Sequence, residues 1–260
     1  MQKLRLSPLF IIIFFTISAR AQNGNFPLRI GEDSSISVAG HRMLLSKQGF
    51  PEQVQVLFAA NGKDSLAKPV NILAENIHFH FFSQADGKDI RLKSGGLAFT
   101  KRTSRKVSWE VNSAADALSV DATGTVDPKG RVDYSVKVTA LRDLDLKDIV
   151  MHIPFQKEVA KSMVGLGKQG DYQPDSMYHW KAKDGNKEGV GAWIGDAGGA
   201  GLNYSLLNPT VWYNGGKGGI DVGIKGKSML VNNYSGSRHL SKGDILYYNF
   251  ILRVSPDRMK

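Results

Sequence analysis

The sequence predicts an all-β fold: an antiparallel β-sandwich, with a supersandwich as its larger form, and few or no long helices. Three observations lead there. Short segments alternate apolar and polar residues, the mark of strands with one buried face. Glycine supplies 28 of 260 residues, about 11% against a usual ~7%, which points to many turns. No segment holds a 3.6-residue apolar period for long; only Gln156 to Met163 could form two helical turns.

The strands follow in order. Gln53 to Phe58 alternates, Ile77-His78-Phe79-His80-Phe81 alternates strictly, and so does Lys106 to Val111. Arg131 to Val138 is the cleanest, with Val132, Tyr134, Val136 and Val138 on one face. Asp127-Pro128-Lys129-Gly130 before it has the proline and glycine positions of a β-turn. Ile149 to Phe155 reads as another strand, and Asp244 to Val254 as a long one. Asn61-Gly62, Asp86-Gly87, Asp184-Gly185 and Asn214-Gly215 punctuate as hairpin or loop tips. No proline-rich or serine-rich linker divides the chain, so residues 22–260 are expected to form one sandwich domain.

Residues 1–21 read as a secretory signal peptide: Lys3 and Arg5, an apolar run of nine residues from Leu9 to Ile17, then Ala19-Arg20-Ala21 as the cleavage pattern. The run is shorter than the roughly 20 residues of a membrane span. The expectation is an exported protein, periplasmic or extracellular in a bacterium, with no stable membrane span. The chain has no cysteine, which excludes a disulfide framework, cysteine-ligated zinc and a thiol nucleophile. Its formal charge of +10 loses Lys3, Arg5 and Arg20 with the signal peptide, leaving 31 basic against 24 acidic residues, or +7. Export makes a nucleic-acid partner unexpected. The densest basic stretch, Lys88 to Lys106, reads as solvated strand and loop faces, or as a surface for acidic glycans or anionic lipid headgroups.

Motifs with specific chemistry are sparse. Gly165-Leu166-Gly167-Lys168-Gln169-Gly170 matches G-x-G-x-x-G, but Asp171-Tyr172-Gln173-Pro174 does not open a helix, so a dinucleotide site is rejected. His78 and His80 share a strand face, as two metal ligands can, but no third ligand is indicated nearby; no metal and no cofactor are expected. Asp143, Asp145 and Asp148 cluster before a strand, with Leu144, Leu146 and Ile149 as anchors, so the acids are expected to face water. Thirteen of the glycines lie between Gly185 and Gly226, among or beside Trp180, Trp193, Trp212 and Tyr213. That texture suits either sugar stacking or turn-rich β structure with core tryptophans. Asp196, after Trp193-Ile194-Gly195, could orient a sugar hydroxyl or cap its own turn.

Taken in order, several stretches resemble the N-terminal β-sandwich domain of family 123 glycoside hydrolases and related bacterial proteins. They are Gln48-Gly49-Phe50-Pro51, Thr123-Gly124 through Asp133-Tyr134, Leu146 to Ile149, Ile153-Pro154, Met163 to Gly170 and Trp180. Ala192 to Asp196, Trp212 to Gly219 and Tyr234 to Arg238 complete the series. The resemblance spans roughly residues 40–255. It implies a carbohydrate-active context, with chemistry in a following barrel whose aspartate–glutamate pair supports substrate-assisted hydrolysis of N-acetylhexosaminides. The given sequence stops at Lys260, about where that barrel would begin, so no catalytic residue is carried over.

The expectation is therefore a non-catalytic module that binds glycan or docks on a glycosidase catalytic domain. Trp180, Trp193, Asp196, Trp212, Tyr213 and Asn214 are its candidate contacts. Two alternatives stand beside it. One is a small stand-alone hydrolase or lyase using His78, His80, Asp143 or Asp145. The other is a structural interaction module of the envelope.

Overall fold

The computed structural model describes residues 27–59, 65–172, 176–181 and 190–256. The signal-peptide reading and the Asn61-Gly62 and Asp184-Gly185 turns lie outside them. In chain order the strands begin with β1 (Arg29–Ile30), β2 (Ser35–Val38), β3 (His41–Leu45), β4 (Pro51–Phe58), β5 (Ser65–Asn71), β6 (His78–Ser83) and β7 (Lys93–Thr103). They continue with β8 (Lys106–Ala114), β9 (Leu118–Val126), β10 (Arg131–Ala140), β11 (Leu144–Gln156), β12 (Ser162–Gly165), β13 (Lys168–Tyr172) and β14 (Tyr178–Lys181). After β15 (Val190–Gly195) and β16 (Gly201–Leu206) comes one short helix, α1 (Pro209–Tyr213), then β17 (Gly219–Lys225), β18 (Ser228–Tyr234), β19 (Arg238–Leu240) and β20 (Ile245–Ser255).

Every strand pairing is antiparallel. Three sheets result: β1 to β5 in order; nine strands in the order β13-β12-β15-β16-β20-β10-β9-β8-β7; and β14-β17-β18-β11-β19, with β6 on the far side of β11. The all-β sandwich expected from the alternation is what the chain forms. Gln156 to Met163 is not helical: β11 runs through Gln156 and turns directly into β12. Helix α1 follows Asn208-Pro209, and no apolar period announces its five residues. Among the described residues, no helix is long and apolar enough to cross a membrane.

The core forms where the two larger sheets face each other. On the nine-stranded sheet, Trp109, Gly124, Tyr134 and Phe250 occupy one lateral row across β8, β9, β10 and β20. Gly124 leaves room for the Trp109 indole, which lies over it: a Cβ at 124 would sit 2.2 Å from Trp109 Cζ2. The indole reaches Tyr134 edge-on at 5.6 Å, and Tyr134 stacks on Phe250 at 4.7 Å. Phe79 of β6 meets Phe250, Tyr248 and Trp212 from the opposite sheet's side at 6.0–6.3 Å. Such ring pairs add to the burial that drives folding. The Gly49 carbonyl accepts both Trp109 Nε1–H (2.8 Å) and the Tyr134 hydroxyl (3.2 Å), which ties the turn before β4 into this row.

Polar detail matches the sequence in several places. Asp127 to Gly130 is a turn: Gly130 N–H donates to Asp127 O at 3.0 Å, and Asp127 Oδ1 accepts from Lys129 and Arg131. Gly165 to Lys168 is the tip of the β12–β13 hairpin, with positive φ at Gly165, Leu166 and Gly167. That geometry agrees with the rejection of a dinucleotide site, which needs a helix there. Lys93, Lys101 and Arg102 of the basic stretch fall on β7, the exposed edge of the nine-stranded sheet, where charge discourages pairing with another chain.

Candidate functional site: an imidazole cluster beside a cleft

The six residues expected to contact glycan divide between two sheets. Trp193 and Asp196 belong to β15 and the turn after it. Trp193 Nε1–H donates to Ser255 Oγ at 2.8 Å, and Asp196 Oδ1 accepts the Ala200 N–H at 2.9 Å, closing its own turn. The other four gather around α1. Trp212 is 1% exposed; its indole N–H donates to Asn249 O and its ring meets Tyr248 edge-on at 4.8 Å. Tyr213 is 8% exposed, with half-buried Trp180 packed on it at 5.8 Å. Asn214 closes the helix in a left-handed conformation and donates to Ser237 O at 2.9 Å. These side chains are engaged chiefly in packing and turn closure.

The acids do not all face water. Asp145 is exposed and bonds His239 at 2.8 Å, which raises the His239 pKa; Asp143 accepts the Lys242 N–H. Asp148 is half-buried and accepts the Ser235 and Gly236 N–H groups at 3.1 and 2.7 Å. Burial raises its pKa despite those bonds. Asp145 lies five residues along β11 from Val150, the register partner of His80, roughly 16 Å along an extended strand. The acids and the histidines that sequence placed in one alternative site are therefore far apart.

The histidines do assemble, and with a third member. Strand alternation turns Phe79, Phe81, Met151 and Ile153 to the core and puts His78, His80 and His152 on the other face. Register pairs His78 with His152 across β6 and β11, and His80 with Val150. The ring centroids are 4.8 Å (His78–His80), 4.9 Å (His80–His152) and 5.0 Å (His78–His152) apart. The expectation of no third ligand is thereby corrected. His152 is remote in sequence and is brought in by strand pairing. His152 stood out as the lone polar residue in the apolar run Ile149 to Phe155, but that could not reveal the partner strand.

Each imidazole is held from behind. His78 Nδ1 meets Asn76 O at 2.7 Å, His80 Nδ1 meets Asp89 Oδ2 at 2.7 Å, and His152 Nδ1 meets Asn232 Oδ1 at 2.6 Å. Asp89 Oδ1 also accepts the Phe81 N–H, which fixes its carboxylate. The same row continues across the sheet: His152 pairs with Asn232, Asn232 with Asp221, and Asp221 with His179, whose side chain bonds Asp221 at 2.8 Å. Burial lowers the pKa of His78; burial and the two neighbouring imidazoles bring that of His152 down to about 4.

His78 and Asp89 also border a cleft of about 430 Å³ beside β6. Phe50, Phe79, Phe81 and Val120 give it an apolar floor, and Gln48, Asn76, Arg91 and Ser113 supply polar groups. An aromatic floor with a few convergent polar groups is the usual make-up of a small-molecule site.

The β-sandwich fold is similar to that of several solved aldose-epimerase-like proteins. A protein provisionally called an aldose 1-epimerase from Klebsiella pneumoniae superposes with a TM-score of 0.57 at 10% identity, covering 88% of this chain and 82% of that one. A GalM/aldose epimerase homologue from C. elegans gives 0.51 at 10% identity, over 88% and 98%. Galactose 1-epimerase from Lactobacillus acidophilus NCFM gives 0.50 at 10% identity, over 89% and 98%. No curated protein matches the chain. The family model described as glycoside hydrolase 123, third domain, matches residues 30–256, and the chain belongs to that family. The motif series pointed to the same family; the matching unit carries the description of its third domain.

Proposed function

We propose that this chain is an accessory carbohydrate-binding module of glycoside-hydrolase systems, exported and non-catalytic, with the cleft beside β6 as its sugar site. The observation that carries the reading is the cleft, set in a chain of the glycoside hydrolase 123 third-domain family. A pyranose has an apolar face and an equatorial rim of hydroxyls. The partly buried Phe79 suits the face; Gln48, Asn76 and Arg91 suit the rim. Arg91 favours a glycan that carries a carboxylate or sulfate. The basic start, apolar run and Ala19-Arg20-Ala21 support export.

Calorimetric titration against panels of neutral and acidic oligosaccharides tests the assignment. Binding that weakens tenfold or more in Arg91→Ala, and is unchanged in Trp193→Phe, is expected. Absence of binding across the panels refutes the sugar site.

A second reading, a stand-alone carbohydrate-active enzyme, is favoured by one observation. One ring nitrogen from each of His78, His80 and His152 lies within 4.8 Å of the others and His78 borders the cleft, so imidazoles that can exchange protons stand beside a bound ligand. Turnover of aldoses or aryl-glycosides that His152→Gln abolishes would select it over the binding module.

A further inference from the structure

We propose that His78, His80 and His152, brought together by the pairing of β6 with β11, form a binding site for one divalent transition-metal ion of the zinc type. The three imidazoles would be the protein ligands, and a fourth position would be left open to water or an oxygen ligand.

The first argument is the direction of the hydrogen bonds. Each Nδ1 meets an oxygen: the Asn76 backbone carbonyl, the Asp89 carboxylate and the Asn232 amide oxygen. These atoms only accept, so each Nδ1 carries the proton. In its neutral form each ring then presents an unprotonated Nε2 lone pair. Metal-binding histidines are usually held in this tautomer by a carbonyl or carboxylate behind the ring. One such contact is commonplace; three on three adjacent rings make a coordinated set.

The second argument is distance. One ring nitrogen from each histidine lies within 4.8 Å of the others. An equilateral triangle of that side has its centre about 2.8 Å from each corner, against zinc–nitrogen bonds of about 2.0–2.1 Å. Closure therefore needs inward shifts of roughly 0.7 Å per ring, within reach of small side-chain rotations. The backbone is already set, because the register pairs His78 directly with His152.

The third argument is electrostatic. With each Nδ1 engaged from behind, the Nε2 lone pairs of the three adjacent rings repel one another. A bound cation removes the repulsion. Imidazole ligands suit zinc, copper, nickel and iron over calcium or magnesium, and three histidines with an open position are a zinc arrangement that can polarise a ligand. The site adjoins the cleft through His78 and Asp89. A ligand oxygen there could fill the fourth position, but metal binding does not depend on the sugar reading.

The test uses the whole chain, purified without a polyhistidine tag and stripped with a chelator. Calorimetric titration with Zn²⁺ and visible absorption with Co²⁺ read the site directly. Expected are one ion per chain, tetrahedral-type cobalt bands and a raised Tm with zinc. His80→Gln and His152→Gln should each weaken binding at least 100-fold, and Asp89→Asn about 10–100-fold. His179→Gln, outside the cluster, should leave it unchanged. No stoichiometric binding by the wild-type chain at micromolar metal overturns the proposal, whatever the variants do. So does undiminished binding in a folded His80→Gln/His152→Gln double variant.

Discussion

Gly124→Ala is expected to be among the most damaging single-methyl additions in this protein. The new Cβ would stand 2.2 and 2.3 Å from Trp109 Cζ2 and Cε2 and 2.8 Å from Nε1. Ordinary carbon contacts need about 3.5 Å or more, so the indole must retreat by more than about 1 Å. It has little room: Trp109 is 1% exposed, bonded to the Gly49 carbonyl at 2.8 Å and packed on Tyr134. Overpacking costs about 1–3 kcal/mol. A buried indole N–H pulled off its acceptor adds about 1–3 kcal/mol. The expected loss is therefore about 2–5 kcal/mol. Urea unfolding followed by circular dichroism measures it. Trp109→Phe removes the atoms the methyl would strike, so the double variant Trp109→Phe/Gly124→Ala should be more stable than the sum of the single losses by at least about 1 kcal/mol. A single variant within about 0.5 kcal/mol of wild type, or strict additivity in the cycle, refutes the reasoning.

Other outcomes follow from the polar groups. His152 has a folded pKa of about 4 against 6.5 for the free group, so the unfolded chain binds the extra proton between those values and stability falls as pH drops from 6.5 to 4. The shift corresponds to about 3 kcal/mol, reduced to about 1–2 kcal/mol by solvent at a half-buried ring. Unfolding across that window, with chelator present, should lose this much less stability in His152→Gln. Asp148 has the opposite sign for its charge: burial raises its pKa, so its contribution declines as pH rises through that value. Asp148→Asn, which keeps an acceptor for Ser235 and Gly236, should lie within about 0.5 kcal/mol of wild type at pH 7. Asp148→Ala should cost about 1–2 kcal/mol by chemical denaturation, having left both N–H groups without it. Trp212→Ala, in the core beneath α1, should lose about 3–5 kcal/mol of stability.

The residues that carried the family resemblance explain why the fold was readable. Gly49, Gly124 and Tyr134 come from two separate stretches, yet all three meet around Trp109. Asn214 and Lys217 from one glycine-rich stretch both contact Ser237 O from another. Such residues record packing that holds across the chain, so their order marks the architecture. Alternation likewise marked β4, β6, β8 and β10, since a strand with one buried face shows it locally.

The candidate site was less accessible for the same reason. Trp212 and Tyr213 looked like sugar platforms because composition cannot separate a stacking ring from a core ring; only burial does. His78 and His80 were visible as a pair, since alternation is local. His152 depends on which strand lies beside β6, and Asn232 and Asp89 depend on two further neighbours. Pairing partners are set by tertiary structure, which single-strand patterns do not encode.

The larger sheet is joined through β20. β7 to β10 form a meander, β13, β12, β15 and β16 lie side by side in that order, and β20, the last strand described, bonds β10 on one side and β16 on the other. On a ribosome, β10 would therefore emerge well before its partner. The 115 residues from Ala140 to Ser255 take about 6–23 s at ordinary elongation rates. Throughout that interval β10 keeps an open edge with Val132, Tyr134, Val136 and Val138 on one side, the kind of surface that pairs promiscuously. Fragments interrupted before residue 245 should need a holdase to stay dispersed, because the two parts of the sheet join once β20 has emerged.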